Sequence, residues 1–575
     1  MILTGSDRIA AYRSRGWWGH ETCDDVFVRN VRAFPDREAV VDAPNRETFT
    51  EGAPRRLTYR QLDDMVDRLC SVLLQYGLKK DDVIAVQLPN VVELTAVYLV
   101  AARLGLIVTP VPVQYRVHEL EFMLAHTGAR AVVTCSRIGT HEHAAMFIDL
   151  TRSVASVQRI FTFGPGAPVG AIAIDPLLEE AVDQDRIDRY RATIRPSADD
   201  VLTICWTSGT EARPKGVPRS HNEWLIIAPN IIESANLESG CRQLNPSPMV
   251  NMSGLSINFA TWLALGGTVV HHHPFDLTVF VGQLREERID YTVAPPAVLN
   301  MMLQNADLLQ GLALTRLKAI GSGGAPLSSW MVEGFAERGV TIVNHYGSNE
   351  GASLAGTYKD IPEPAARAEY FPRLGVDGVD TALHTNQRNR TRLVDLATGL
   401  EITEPGVAGE LRFNGPTVFS GYWNAPEVTK RTFDDQGFYC TGDLFEIAGE
   451  KMQFYKYVGR SKDIVVRGGT NISSEEIETL VLGHPAVKEA AVIGRPDPIM
   501  GERVCVCVVP RDDRTVTLDD IVQYLRNEKR VAVYKLPEHL LIVDALPRNA
   551  VGKILKRELR AYQSGLIDRA RCAEH

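Results

Sequence analysis

One stretch of the 575-residue chain carries the residue types of a phosphate cradle: Trp206-Thr207-Ser208-Gly209-Thr210-Glu211-Ala212-Arg213-Pro214-Lys215-Gly216. Glycine lets backbone approach phosphate oxygens closely, while hydroxyls, exposed amides and a lysine ammonium donate to them. The stretch holds no G-x-x-x-x-G-K-[ST], so the mononucleotide-hydrolase loop of that signature is not the reading. Glu350 offers a hard carboxylate oxygen of the kind magnesium takes beside phosphate oxygens and water. Asp443 is a carboxylate able to accept two hydrogen bonds, and Arg460 carries a planar fork of donors.

These side chains need elements to position them. Leu62, Met65, Val66, Leu69, Val72 and Leu73 recur at three- and four-residue intervals and predict a helix; residues 83–88 predict a buried strand closed by Pro89-Asn90. The beat continues through helix 91–104, strand 106–109, helix 117–126 and strand 131–135, then resumes with strands at 201–206, 268–271, 291–294, 317–320 and 341–344. Strands alternating with helices imply parallel sheets covered on both faces, with ligands gathering beyond the carboxyl ends of the strands. Thr207-Ser208-Gly209-Thr210, Gly321-Ser322-Gly323-Gly324 and Tyr346-Gly347-Ser348 follow such strands. From about residue 365 shorter strands, 409–413 and 417–422, predict a β-rich part. An α+β pattern follows, with helix 474–482, strands 489–494 and 504–509, and helix 518–529. The expected fold is α/β: two doubly wound α/β subdomains and a β-rich subdomain in residues 1–459, a hinge at 460–463, and a small mobile α+β domain at 464–575.

Composition narrows the function. A net charge of −9 argues against general nucleic-acid binding, and 45% apolar with 23% charged residues describes an ordinary globular protein. The nine cysteines are scattered without metal-ligand spacing, which predicts reduced structural thiols. The first 18 residues hold no apolar run of signal-peptide length, and the most apolar long stretch, 91–111, is broken by Glu93 and Arg103. No membrane insertion and a cytoplasmic location are expected. His271-His272-His273 reads as a strand end, because three consecutive residues converge poorly on one ion, and Cys505 and Cys507 read as core packing.

The phosphate loop resembles that of the adenylate-forming superfamily of acyl- and aryl-CoA ligases, peptide-synthetase adenylation domains and luciferases. The superfamily's further motifs follow in its order: Ser322-Gly323-Gly324-Ala325-Pro326-Leu327, Asn344-His345-Tyr346-Gly347-Ser348-Asn349-Glu350, Gly409-Glu410-Leu411 with Gly421-Tyr422-Trp423, Tyr439-Cys440-Thr441-Gly442-Asp443, Gly459-Arg460-Ser461-Lys462-Asp463, Gly468-Gly469-Thr470-Asn471-Ile472 and Pro547-Arg548-Asn549-Ala550-Val551-Gly552-Lys553-Ile554. The resemblance spans about residues 20 to 560. It implies an AMP-forming acid:CoA ligase using ATP, magnesium and coenzyme A, with carrier-protein loading as the alternative thiol chemistry; homodimerisation stays open. By this resemblance Thr207, Ser208, Gly209, Thr210, Lys215, Gly323, Gly324, Ala325, Pro326, His345, Tyr346, Gly347, Ser348, Asn349, Asp443 and Arg460 bind nucleotide, with Tyr346 stacking on adenine. Lys553, with Glu350, is catalytic: its ammonium offsets the repulsion between substrate carboxylate and α-phosphate, an effect worth roughly two to three orders of magnitude in rate. Lys462 is the hinge about which the small domain alternates, and Gly468-Gly469 line a narrow thiol passage.

Two departures stand out. Glu211-Ala212 replace the usual Thr-Gly, and Asn349 replaces a threonine. The acid pocket corresponds to Asn251, Met252, Gly254 and Leu255, with Gly321, Gly347 and Ala352. Small Asn251 in place of a histidine or aromatic gate suggests a roomy, mainly apolar cavity with one polar handle. The segment Tyr12–Trp18 with Glu21-Thr22 resembles ligases for cyclohexanecarboxylate and dihydroxybenzoate, so a cyclic, aromatic or otherwise bulky apolar acid is expected, with a long fatty chain disfavoured.

Overall fold

The computed structural model describes residues 1–207, 214–309, 316–461, 463–467, 470–497, 500–511, 514–529, 531, 533–548 and 554–563. The chain forms two compact units. The larger is Met1–Thr207, Pro214–Thr391 and Phe413–Tyr439; the smaller is built mainly from Arg392–Arg412 and the chain from Cys440 onward.

The larger unit contains two mainly parallel sheets. In the seven-stranded sheet, Ala131–Cys135, Val83–Gln87, Ile107–Pro110 and Val201–Trp206 lie side by side, and Gly216–Ser220 closes one edge antiparallel. In the eight-stranded sheet the order runs Ser353–Gly356, Thr341–Gly347, Ala319–Gly323, Tyr291–Val293, Arg242–Asn245, Thr268–His271, Glu38–Val41 and Arg56–Thr58, antiparallel only at its two edges. One continuous core joins a face of each sheet through the helices Tyr59–Gln75 and Val92–Leu104. The opposite faces are covered by Val117–Thr127 and His143–Leu150 on one sheet, and by Leu277–Glu286, Pro296–Gln304 and Ser329–Ala336 on the other. The doubly wound pattern expected from the alternation is thus present. Local signals set the helix ends: Thr58 and Gln61 form a reciprocal capping box before Tyr59–Gln75, and Gly105 ends Val92–Leu104 in the left-handed region at φ 69°.

Every residue of Val92–Leu104 is buried, its two charges included. Glu93 meets Arg46, which also holds Asp42, while Arg103 reaches Asp24 at 2.9 Å, Asp63 at 2.7 Å and Asp67 at 2.6 Å. The charges that interrupt the apolar run therefore pin the helix to its neighbours. Among the described residues no helix is long and apolar enough to cross a membrane. The three histidines diverge: His271 bonds Thr95, His272 bonds Gln283, and His273 packs edge-on against Phe49.

One expected strand is absent. Residues 417–422 form a turn and irregular backbone, with Val418 N–H donating to Gly415 O. The carbonyls that a ladder would use are taken by side chains: Arg8 donates to Val418 and Phe419, Arg219 to Thr417, and Trp18 to Pro416. The apolar residues are buried as in a strand, but arginines satisfy this backbone instead of a neighbouring strand.

In the smaller unit, Gly409–Asn414, Tyr439–Ala448 and Phe454–Arg460 build a β-rich sheet, the last two antiparallel. A second sheet pairs Ile464–Arg467, Gly501–Pro510 and Val487–Asp497, covered by Ser474–Leu482 and Leu518–Gln523. Cys505 and Cys507 lie in its core, and all eight described cysteines are free thiols.

Arg103→Met, which leaves three carboxylates around an apolar side chain, is expected to cost about 3–5 kcal/mol, read as a shift of the urea midpoint at unchanged slope. A loss below about 1 kcal/mol, the size of an exposed pair, would contradict this structural role.

Candidate functional site

Thr207 and Lys215 flank the open end of a two-stranded antiparallel pair. Val201–Trp206 and Gly216–Ser220 pair antiparallel, Thr207 N–H donates to Lys215 O at 3.0 Å, and Lys215 N–H donates to Thr207 Oγ1 at 3.2 Å. Ser208, Gly209, Thr210 and the Glu211-Ala212 departure lie outside the described residues. The Lys215 ammonium stands 4.7 Å from the centroid of the Tyr422 ring, and the Tyr422 hydroxyl donates to Glu350 Oε1 at 2.8 Å. Tyr422 thus links the lysine suited to phosphate with the carboxylate suited to magnesium.

Glu350 lies in the turn between Thr341–Gly347 and Ser353–Gly356, which pair antiparallel. Ser348 N–H donates to Ala352 O at 3.0 Å and Gly351 N–H to Ser348 O at 3.1 Å. Gly351 has φ 101°, and a Cβ there would lie 1.9 Å from Thr417 O, so no other residue fits. Beneath the turn Arg219 is fully buried and donates to the carbonyls of Asn349 at 3.0 Å, Thr417 at 2.7 Å and Glu223 at 2.9 Å. Asn349 bridges two further segments: its Nδ2 donates to Trp206 O at 2.9 Å, and its Oδ1 accepts from Met252 N–H at 2.8 Å. A threonine hydroxyl could not reach both.

Met252 opens the segment expected to line the acid pocket, and Ser253–Ala260 is a wide π-helical turn, a feature frequent at functional sites. Asn251 Oδ1 accepts from Gly254 N–H at 3.2 Å, so the expected polar handle partly caps its own turn. Gly254 faces the Pro248 carbonyl, where a Cβ would stand 2.1 Å away, and Leu255 is buried in the core. Gly321 and Gly323 lie on the facing strand, with Gly324, Ala325 and Pro326 exposed beyond its carboxyl end. The His345 ring lies beside Gly321, within reach of the acid-pocket set rather than out among the exposed residues; burial pulls its pKa down to about 4 and leaves it neutral. Tyr346 packs edge-on against Phe371 at 6.3 Å, and Gly347 is exposed.

In the smaller unit Asp443 and Arg460 sit opposite each other on adjacent strands, with Arg460 Nε 3.1 Å from Asp443 Oδ1. Glu410 accepts from Gly442 N–H at 3.1 Å and Thr441 Oγ1 from Asp443 N–H at 3.1 Å, fixing the bend that carries Asp443. Glu475 accepts from the Tyr457 hydroxyl at 3.3 Å; burial lifts its pKa to about 7, against the opposing pull of Lys556. Lys462, Gly468, Gly469 and Lys553 lie outside the described residues.

The donor set suits magnesium arriving with a nucleotide. Glu350 is one carboxylate, no group of three His, Cys, Asp or Glu side chains clusters among the described residues, and magnesium commonly takes one or two carboxylates plus phosphate oxygens. Sequence reasoning left out Arg219, Gly351 and Tyr291 and gave Tyr422 no role. Tyr422 was signalled by its place in Gly421-Tyr422-Trp423, and Arg219 by being a charge inside a short apolar strand.

The chain matches the model of the AMP-binding enzyme over residues 27–423 and that of the AMP-binding enzyme C-terminal domain over residues 476–553. It is 30% identical over 562 residues to a medium-chain fatty-acid–CoA ligase of Escherichia coli (strain K12), covering 97% of this chain and 93% of that one. To an indoleacetate–CoA ligase of Aromatoleum aromaticum it is 32% identical over 507 residues, covering 88% and 93%. The crystal structure of ATP bound MatB from Rhodopseudomonas palustris aligns with a TM-score of 0.76 at 25% identity, covering 95% of this chain and 100% of that one.

Two outcomes follow from this geometry. Asn349→Ala, which frees both Trp206 O and Met252 N–H, should raise the KM for the nucleotide and for the acid together by about fivefold, each lost hydrogen bond costing about 1 kcal/mol; an effect on one KM alone would contradict the bridge. Glu475 binds its proton more tightly folded than unfolded, so its contribution to stability is full below about pH 4.5 and lost as pH rises through about 7. Glu475→Gln should therefore raise the melting temperature at pH 8.5 and do little at pH 4.5; equal shifts at both would refute the protonation account.

Proposed function

The chain belongs to the AMP-binding enzyme family and is an ATP-dependent, AMP-forming acyl-CoA synthetase; from that premise we propose that its acid is a bulky cyclic, aromatic or medium-size apolar carboxylic acid. A carboxylate oxygen attacks the α-phosphorus of ATP and pyrophosphate leaves; the coenzyme A thiolate then attacks the acyl carbonyl and AMP leaves.

The observation that carries the acid reading is the sheet face opposite the π-helical turn. Ala319, Gly321 and Gly323 alternate onto that face of one strand, where the Tyr291 hydroxyl and the His345 ring cover Gly321 and the His345 carbonyl covers Gly323, so the floor is closed by aromatic and backbone groups. Tyr291, fully buried, sets its hydroxyl against Gly321 and limits depth, which disfavours a long extended chain. The relatives named for medium-chain fatty acid and for indoleacetate bracket this size.

Roles follow for the residues of this chain. Thr207 and Lys215 at the hairpin base donate to phosphate oxygens, and Asp443 and Arg460 hold the ribose. Glu350, oriented by Tyr422, would hold magnesium, which when bound neutralises triphosphate charge. Lys553 supplies the positive charge between the two anionic reactants.

A panel of carboxylic acids assayed for pyrophosphate release, with and without coenzyme A, tests the reading. Turnover of cyclic and aromatic acids well above long-chain acids, with AMP release stimulated by free coenzyme A, is expected; indifference to coenzyme A would point to carrier-protein loading. Lys553→Ala should slow adenylate formation roughly a hundredfold or more while sparing thioester formation from supplied acyl-adenylate; equal loss in both steps would refute its role.

A further inference from the structure

In the smaller unit the strand Phe454–Arg460 of the first sheet packs against the helix Ser474–Leu482 that covers the second, and the two lie on either side of residues 460–463. Side chains join them. Ser473 Oγ donates to Val458 O, Ser474 Oγ to Asp463 O, and the Tyr457 hydroxyl to Glu475 Oε1 at 3.3 Å. A third element closes the group: Lys556, on the helix Lys556–Gln563, places its ammonium 2.7 Å from Glu478 Oε1, which also accepts from Val492 N–H at 2.6 Å.

The charges at this seam do not balance. Glu475 and Glu478 sit three residues apart on one helix face and have one ammonium between them. Glu478 and Lys556 are only 14% and 11% exposed, and Glu475 Oε2 is buried without a hydrogen-bond partner. The other charged groups nearby are already engaged: Arg460 with Asp443 at 3.1 Å, Arg560 with Asp463 at 3.3 Å, and Glu476, on the same helix, with Lys535 at 2.8 Å. Asp443 and Glu478 add negative potential at Glu475, which Lys556 opposes. With both glutamates ionised the seam therefore holds one uncompensated negative charge, and a carboxylate oxygen out of water with no donor is costly. A proton on Glu475 removes that charge, and burial accordingly lifts its pKa to about 7.

We propose that this seam is a proton-operated fastening: a single proton on Glu475 holds the second sheet of the smaller unit against the strand bearing Arg460, and its loss frees residues 464–575 to move about 460–463. The inference rests on the mobile small domain expected from the sequence, and on no particular acid substrate. Glu475 binds its proton more tightly in the closed seam than it would in water, so the closed form is favoured in full below about pH 4.5 and loses that advantage as pH rises through about 7. The hydroxyl contacts of Ser473 and Ser474 set where the helix docks, while the carboxyl sets how firmly.

The test is hydrogen exchange read by mass spectrometry on the full chain at pH 6.0, 7.0 and 8.5, each rate divided by the intrinsic rate at that pH. Peptides covering 454–460 and 472–478 report the seam, and peptides from Val487–Asp497, inside the second sheet, are the control. A carboxyl at about 7 when closed and near its ordinary 4.5 when open makes opening about tenfold more favourable at pH 8.5 than at pH 6.0. The seam peptides of the native chain should lose protection by about that factor while the control holds. Glu475→Gln, neutral at every pH, should be as protected at pH 8.5 as the native chain is at pH 6.0, with its control peptides showing that it is folded. Partial protection that does not change with pH in the native chain overturns the proposal and leaves the mobile domain standing; full protection at every pH fails the mobile-domain reading and takes this inference with it. The same pH-dependent loss in Glu475→Gln assigns the proton elsewhere and overturns the proposal, and so does a loss shared by the control peptides, which reports unfolding of the second sheet. Should Glu475→Gln not fold, the native profile decides alone.

Discussion

Arg219 has no exposed surface and faces three backbone carbonyls, those of Asn349, Glu223 and Thr417. An unpaired buried charge is expensive unless fixed dipoles replace the water it gives up. The carbonyls do so here, although burial still pulls the guanidinium pKa down. The arrangement works in both directions. The charge needs the carbonyls, and the carbonyls, which belong to no ladder, need the donors. The turn bearing Glu350 and the irregular segment after Gly415 are therefore held to one guanidinium, and Gly351, where a Cβ would strike Thr417 O, is the consequence of that close approach.

From this anchor the contacts reach both kinds of ligand. Asn349, whose carbonyl Arg219 holds, uses its amide to join Trp206 at the root of the phosphate hairpin to Met252 at the head of the acid-pocket segment. Tyr422, placed after the segment that Arg219 and Arg8 hold, joins Lys215 to Glu350. Residues far apart in the chain thus share a few rigid fastenings. This gives the Asn349 departure a physical sense: an amide has a donor and an acceptor on separate atoms and can span two backbones, where a threonine hydroxyl has a single oxygen.

The parts legible in the sequence were those set by local pattern. The helix Tyr59–Gln75 announced itself by spacing and the strand Val83–Gln87 by an apolar run with a stop, because burial on one or both faces dictates residue type directly. The family was legible as motifs, since phosphate chemistry favours glycine, hydroxyl, lysine and carboxylate at fixed spacing. Residues 417–422 misled because β-forming apolar residues record burial, and buried backbone can be satisfied by arginines as well as by a strand. Arg219 left only a faint mark, a charge inside a short strand, and Tyr291 left none: Asn349, Thr417 and Gly321, which they meet, lie far off in the chain, and only the folded backbone brings them together.

The charge distribution within the larger unit is uneven. Lys215, Glu350 and Arg219 gather around the turn and the hairpin root, beyond or beside the strand ends. The floor at Gly321 is uncharged: burial keeps His345 neutral and pushes the Tyr291 hydroxyl far above its ordinary pKa. A carboxylate gains nothing at such a floor and would lose its hydration there, whereas a neutral ring with a neutral polar group loses little. The charged turn and the neutral strand floor are therefore electrostatically distinct parts of the larger unit, the first suited to anions and the second to uncharged groups.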